Sequence, residues 1–125
     1  MSGYQPGACN IGPVQRRRRA TIAAIAFALA LGWTVGTAVG LLPEPVFVGV
    51  FVPLSIGFEW GLQAYTAFCV RLALLDRYDF RGTGGEAKPV TEWTDRRADD
   101  LQAAKLAAAG VACGAASTAL LVVLV

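Results

Sequence analysis

The sequence predicts an all-α membrane protein with three transmembrane helices, its N-terminus in the cytoplasm and its C-terminus outside. Three observations carry that prediction. Three long apolar segments, residues 20–42, 46–70 and 105–125, dominate the chain, and all eleven Lys and Arg residues fall in two blocks, Arg16 to Arg19 and Arg71 to Lys105. The Leu42 to Val46 turn and the stretch after Lys105 carry no basic residue. Loops rich in Lys and Arg are retained in the cytoplasm, so both basic blocks belong there and the bare turn belongs outside.

Segment length separates this reading from a small soluble domain. The chain has 125 residues, 55% of them hydrophobic, which fits either class. Residues 20–42 hold no charged side chain over 23 positions. A helix of that length rises about 34 Å, against a hydrocarbon core of about 30 Å. A secretory signal is the competing reading of this first segment, since basic residues precede it and Thr37, Ala38 and Gly40 mimic a cleavage site. The run exceeds a typical signal core, and cleavage would discard a pronounced packing stripe. Cys9 follows Gly7 and Ala8 as in a lipoprotein site, but no hydrophobic stretch precedes it.

Residues 1–19 form the first, cytoplasmic unit, with Gly3, Pro6, Gly7, Gly12 and Pro13 breaking helix ahead of the arginines. An irregular arm at the interface is expected. Arg16, Arg17, Arg18 and Arg19 would attract anionic lipid head groups at about 1 kcal/mol each near the surface. The net charge is +2, but seven of the nine acidic residues share the second block with seven basic ones. A balanced inner face of that kind excludes nucleic acid as the expected partner.

Small residues recur at every fourth position of the first span: Ala20, Ala24, Ala28, Gly32, Gly36 and Gly40. That spacing lets a second backbone approach closely, and in lipid the gain comes from packing. Pro43 and Pro45 end the helix, and Pro53 predicts a kink in the outer half of the second span, with Gly57 adding flexibility. Residues 71–104 read as a charged cytoplasmic loop and helix start. The glycines of 81–89 suggest a flexible loop, and the Gly-Thr-Gly-Gly there lacks the Gly-Lys-Ser/Thr of a phosphate loop. Thr91 or Thr94 offers an N-cap for a helix that runs into the third span. That span presents Ala103, Ala107, Gly110, Gly114 and Ser117, a second small-residue face expected to pack on the first.

The chain contains no His, and its one Met is the first residue, so a Ser-His-Asp triad, a His-based metal site and the usual haem ligands are unavailable. No cofactor and no catalytic residue is expected. Two constellations remain. Ser55, Glu59, Gln63 and Thr66 share one face of the second span at helical spacing. Insertion scales place Asp at about 2.5 to 3.5 kcal/mol in mid-membrane, so Glu59 is expected to face protein, as a packing group or as an ion relay. Cys9 and Cys69 fall on one side of the membrane and form a possible thiol pair, too few for a closed zinc site. Cys113, inside the third span, reads as a packing residue.

Cys9-Asn10-Ile11-Gly12 ahead of the arginines, Gly61-Leu62-Gln63 leading to Phe68-Cys69, and Asp95-Arg96-Arg97 with Asp99 resemble a pattern of small, functionally uncharacterised prokaryotic membrane proteins. A fainter resemblance is to the YgaP-like two-helix membrane domain, from which this chain departs by its third span and charged inner loop. Neither resemblance implies a reaction. Both imply that Cys9, Asn10, Gly12, Gln63 and Cys69 act together at the cytoplasmic interface.

The expected role is a non-catalytic accessory or assembly subunit in the cell membrane, partnered by lipids and by other membrane subunits or itself. The alternatives are a small homo-oligomeric channel, holin or ion-coupled carrier using Glu59, and a cytoplasmic thiol redox or metal role for Cys9 and Cys69.

Overall fold

The computed structural model describes residues 4–82 and 85–125. Three helical stretches are long and apolar enough to cross a membrane: Pro13–Ala38, Glu44–Thr66 and Trp93–Leu124. Large apolar side chains such as Leu29, Leu31, Val35, Leu120 and Val123 stand more than half exposed on their outer surfaces. A water-soluble chain does not leave so much continuous apolar surface bare.

Helix α1 (Pro13–Ala38) begins earlier than expected and includes all four arginines. Pro13 at its first position lacks only an N–H that would have no helical partner. The helix ends four residues short of the expected boundary because Gly40 adopts φ +84, a left-handed conformation that costs glycine little. The N–H groups of Leu41 and Leu42 then both donate to Gly36 O, at 2.8 and 3.1 Å.

The second span is two pieces. A 3-10 stretch, Glu44–Val50, leads into α2 (Phe51–Thr66). Pro53 therefore falls in the first turn of α2, where its missing N–H is tolerated, and the expected kink becomes a change of helix type just before it. Ala67 closes α2 in the left-handed region at φ 56, so the expected continuous helix to residue 70 is broken there. A single turn, α3 (Val70–Leu74), follows.

The all-α expectation needs one correction. Strands β1 (Arg77–Asp79) and β2 (Ala87–Pro89) pair antiparallel, with Tyr78 opposite Lys88. The segment expected to be a flexible loop thus contains a strand pair; Thr83 and Gly84 of its Gly-Thr-Gly-Gly lie outside the described residues. The final helix, α4 (Trp93–Leu124), has Glu92 at its N-cap and no side-chain capping bond, so neither Thr91 nor Thr94 caps it.

Helix α2 lies between the other two long helices and packs against both. Towards α1 the second span presents Gly49 of its 3-10 stretch and Gly57 and Gly61 of α2, which receive Trp33, Phe27 and Ala23: a Cβ on Gly49 or Gly57 would stand 2.8 or 2.7 Å from an aromatic carbon. Towards α4 the roles reverse, and Gly110 and Gly114 of α4 receive Glu59 and Ser55 of α2. The two small-residue faces expected to meet each other do not: the face of α4 receives side chains of α2, and most of the face of α1 is exposed. On α1 the buried line is Ala23, Ala26 and Ala30, while Ala20, Ala24, Ala28, Gly32 and Gly40 are exposed.

Apolar packing is divided between the ends of the bundle. Ala30, Phe47, Val50 and Leu54 cluster near the Pro43 end, and Phe68, Ala73, Ala103 and Leu106 near the arginine end. Beside the second cluster, Ile11, Ala67 and Cys69 form a third, where the arm meets the end of α2.

Candidate functional site

Buried polar groups concentrate at the arginine end, where four parts of the chain converge on Cys69. The turn at Ala67 releases the backbone from α2, so the peptide groups around it need partners outside the helix. Asn10 supplies them. Its Nδ2 donates to Cys69 O at 3.1 Å and its Oδ1 accepts from Cys69 N–H at 2.6 Å, in the manner of a strand partner. Neither residue is more than 2% exposed. The backbone N–H groups of Asn10 and Ile11 also donate to Ala67 O. Gln63, one turn back in α2, accepts the Val70 N–H on its side-chain oxygen at 3.3 Å. The arm is therefore not an irregular segment but a strap, and it continues onto β1 through an Ile11–Asp79 bridge and a bond from Gly12 N–H to Asp79 O.

The strap is fastened again further out. Asp99, fully buried in the first turns of α4, accepts from Tyr4 Oη and from Gly7 N–H, both at 2.8 Å. Tyr4 stacks on Tyr78 of β1 with ring centroids 4.6 Å apart. Burial and then the Asp99 carboxylate push the Tyr4 phenol above its ordinary range. The Asp79 carboxyl is held below its ordinary range, chiefly by hydrogen bonds from the Arg81 guanidinium.

The four arginines divide. Arg16 lays its guanidinium on the last carbonyls of α2, with Nε to Ala64 O at 2.9 Å and Nη2 to Tyr65 O at 3.3 Å, an arrangement suited to the negative end of a helix. Arg19 is buried and turns inward to Cys69 Sγ, Gln15 and the Trp60 ring. Arg17 and Arg18 stay exposed and line a shallow groove with Val14, Thr21 and Ile22, which leaves these two open to head groups.

The expected polar face of α2 is not one site. Ser55 and Glu59 face α4, where Ser55 Oγ and Glu59 Oε1 are buried without hydrogen-bond partners among the described residues. Gln63 serves the helix break, and Thr66 Oγ1 donates back to Leu62 O at 2.7 Å. Cys9 packs against the cluster that holds Cys69, its thiol pushed up by burial; Cys113 stands exposed on α4. Among the described residues no group of three or more His, Cys, Asp or Glu side chains could hold a metal.

Sequence reasoning missed Arg19, Gln15, Asp79 and Asp99 as parts of this junction. Only the resemblance to small membrane proteins pointed to it, by grouping Asn10 with Gln63 and Cys69 at one interface. No family model matches the chain, and no curated protein or solved structure matches it.

Proposed function

We propose that the protein is a non-catalytic integral membrane subunit that docks against another membrane protein through the outer face of α1. The reading includes the orientation given by the basic residues, with the strapped junction in the cytoplasm and the Pro43 turn outside. The observation that carries it is the stripe Ala20, Ala24, Ala28 and Gly32, which is exposed while the chain's own packing uses the neighbouring line. Nothing lies within 4 Å of where a Cβ on Gly32 would be. Lipid tails gain nothing from small residues, whereas a second helix does, because its backbone can approach.

The geometry at Glu59 weighs against an ion pathway. The carboxylate is lodged against Gly110 inside the chain, not displayed on an outer face where copies could assemble a pore. The test is mild detergent extraction followed by mass spectrometry, with wild type beside Gly32→Leu. Unrelated large membrane subunits should accompany the wild type and be lost from the variant, whose own fold has room for the side chain. Recovery of a pure homo-oligomer that conducts ions in liposomes would overturn the proposal.

A further inference from the structure

The third span leaves one long face of α4 uncovered. Asp99, Ala103, Leu106, Gly110, Gly114 and Thr118 turn towards the rest of the chain. On the other side Leu101, Ala104, Ala108, Val111, Ala115 and Val122 are exposed, Leu101 at 55% and Val111 at 49%. Steps of three and four residues keep these side chains on one stripe over about 30 Å of helix. The position that the pattern passes over, Thr118, is buried.

Two charged residues flank the stripe at the arginine end of the bundle. Asp100 precedes Leu101 and Lys105 follows Ala104, so they stand on opposite edges of the stripe, and both are exposed. Neither forms an ion pair within the chain among the described residues, where the pairs are Arg81–Asp79, Lys88–Glu86 and Arg96–Asp76. Arg97, next along the same face, is drawn over the Trp93 ring, 5.6 Å from its centre. The position of Leu101 also points to a protein contact. Lys105 to Val125 already rises about 30 Å, the thickness of the hydrocarbon core, which puts Leu101 about 6 Å beyond it, where an exposed leucine gains nothing from lipid tails.

We propose that this face is the contact between two copies of the chain, packed parallel about a two-fold axis along the membrane normal. Copies of one chain insert in the same sense, so residues at equal depth meet and the stripe of one copy lies on that of the other. The axis sets each edge of the stripe against the opposite edge of the second copy. The Asp100 carboxylate of each copy then faces the Lys105 ammonium of the other, five residues on, the relation that charged edge residues hold in parallel two-stranded coiled coils. Ala104, Ala108 and Ala115 let the two backbones approach, which is the source of the gain in lipid. Ion pairs this exposed add little strength, and their effect is to select the register and the partner. The neighbouring exposed line of Ala109, Cys113 and Ala116 is equally small but lacks such a pair of charged edges. The contact is separate from the α1 stripe, since α2 lies between the two helices, and it stands whether or not a further subunit docks on α1.

The full chain is expressed in membranes with Cys9→Ser and Cys113→Ala, and single cysteines are placed along α4 for oxidative crosslinking. Ala104→Cys, Ala108→Cys and Ala115→Cys should give crosslinked dimers of the chain, whereas Ala109→Cys, Ala116→Cys and the native Cys113 should not. In the Ala108→Cys chain, Asp100→Lys and Lys105→Asp should each weaken dimerisation about fivefold, because each sets two like-charged pairs across the axis. Coexpressed under different tags, these two variants should pair with each other and regain the unswapped yield, since every pair across the axis is again opposite in sign. A change confined to one chain cannot produce that rescue, so misfolding of a single variant does not imitate it. Crosslinks strongest at positions 109, 113 and 116, adducts to a different protein, no dimer at any position, or coexpression no better than the single variants would each overturn the proposal.

Discussion

Replacing Asn10 with alanine removes the amide that brackets Cys69 while leaving the backbone bonds from residues 10 and 11 to Ala67 O in place. One buried backbone group loses its partner, the Cys69 N–H bonded at 2.6 Å; the Cys69 C=O loses the amide at 3.1 Å but keeps the Ala73 N–H, also at 3.1 Å. A buried group left unsatisfied costs about 1 to 3 kcal/mol. A water in the vacated space could meet the N–H, which favours the lower part of that range, about 1 to 2 kcal/mol. At 1.4 kcal/mol per factor of ten, the strap should open roughly 5- to 30-fold more often. Hydrogen exchange on the protein in micelles reads this directly: protection should fall across residues 5–12 and 67–70, while the α1–α2 contact far from the junction keeps its protection. Asn10→Asp keeps an acceptor for the Cys69 N–H but sets a carboxylate beside the Cys69 carbonyl, so its strap should open at neutral pH and close again in acid. Unchanged protection of residues 5–12 in Asn10→Ala would refute the reasoning.

The α2–α4 contact should distinguish two neighbouring glycines. A Cβ on Gly114 would stand 3.0 Å from Ser55 Cα, a backbone atom that cannot swing aside, so Gly114→Ala should destabilise by about 1 to 3 kcal/mol in equilibrium unfolding. A Cβ on Gly110 meets the flexible Glu59 side chain, with its Cγ at 2.8 Å, so Gly110→Ala should cost less and should be relieved by adding Glu59→Ala; additive effects would show that the two do not touch. The pH limits of the junction follow from its two shifted groups. The Asp79 carboxyl is depressed when folded, so its contribution is present above the ordinary value near 3.9 and is lost as pH falls through the lower folded value; Asp79→Asn should flatten the acid limb of thermal stability. The Tyr4 phenol is raised, so its contribution is present below about 10 and is lost as pH rises towards the folded value; Tyr4→Phe should flatten the alkaline limb, and an unchanged limb would place the phenol outside the junction.

The three spans were legible because length and charge placement are one-dimensional properties, and the structure keeps all three helices. What periodicity could not assign was the partner of each face. The first span shows its small residues at every fourth position, yet α1 turns most of that stripe outward and inserts Phe27 and Trp33 against glycines of the second span. The matching signal was present in the second span, where Gly49, Pro53, Gly57 and Gly61 are also four apart. Pro53 and Gly57 read there as a kink and a flexible point, because proline and glycine carry local meanings that mask a packing stripe. The junction was hidden for a different reason. The resemblance grouped Asn10, Gln63 and Cys69, but composition and spacing gave no reason for it, since the reason is the left-handed turn at Ala67, an alanine that no propensity rule marks as a helix end. Once that turn breaks the second span, its freed peptide groups require an external amide, and the arm supplies it from 59 residues away. The basic run follows the same logic: Arg16 caps the shortened helix from the surface and Arg19 reaches the cysteine beyond it, so two of the four charges that read as lipid anchors also hold the chain's own end of α2. A single unexpected φ angle thus accounts for the strap, the buried arginine and the placement of Cys69 together. Ala67→Gly should therefore preserve the junction, since glycine reaches that φ at least as easily, whereas Ala67→Val should release the strap and expose Cys69 to alkylation, because a β-branched residue resists the left-handed region.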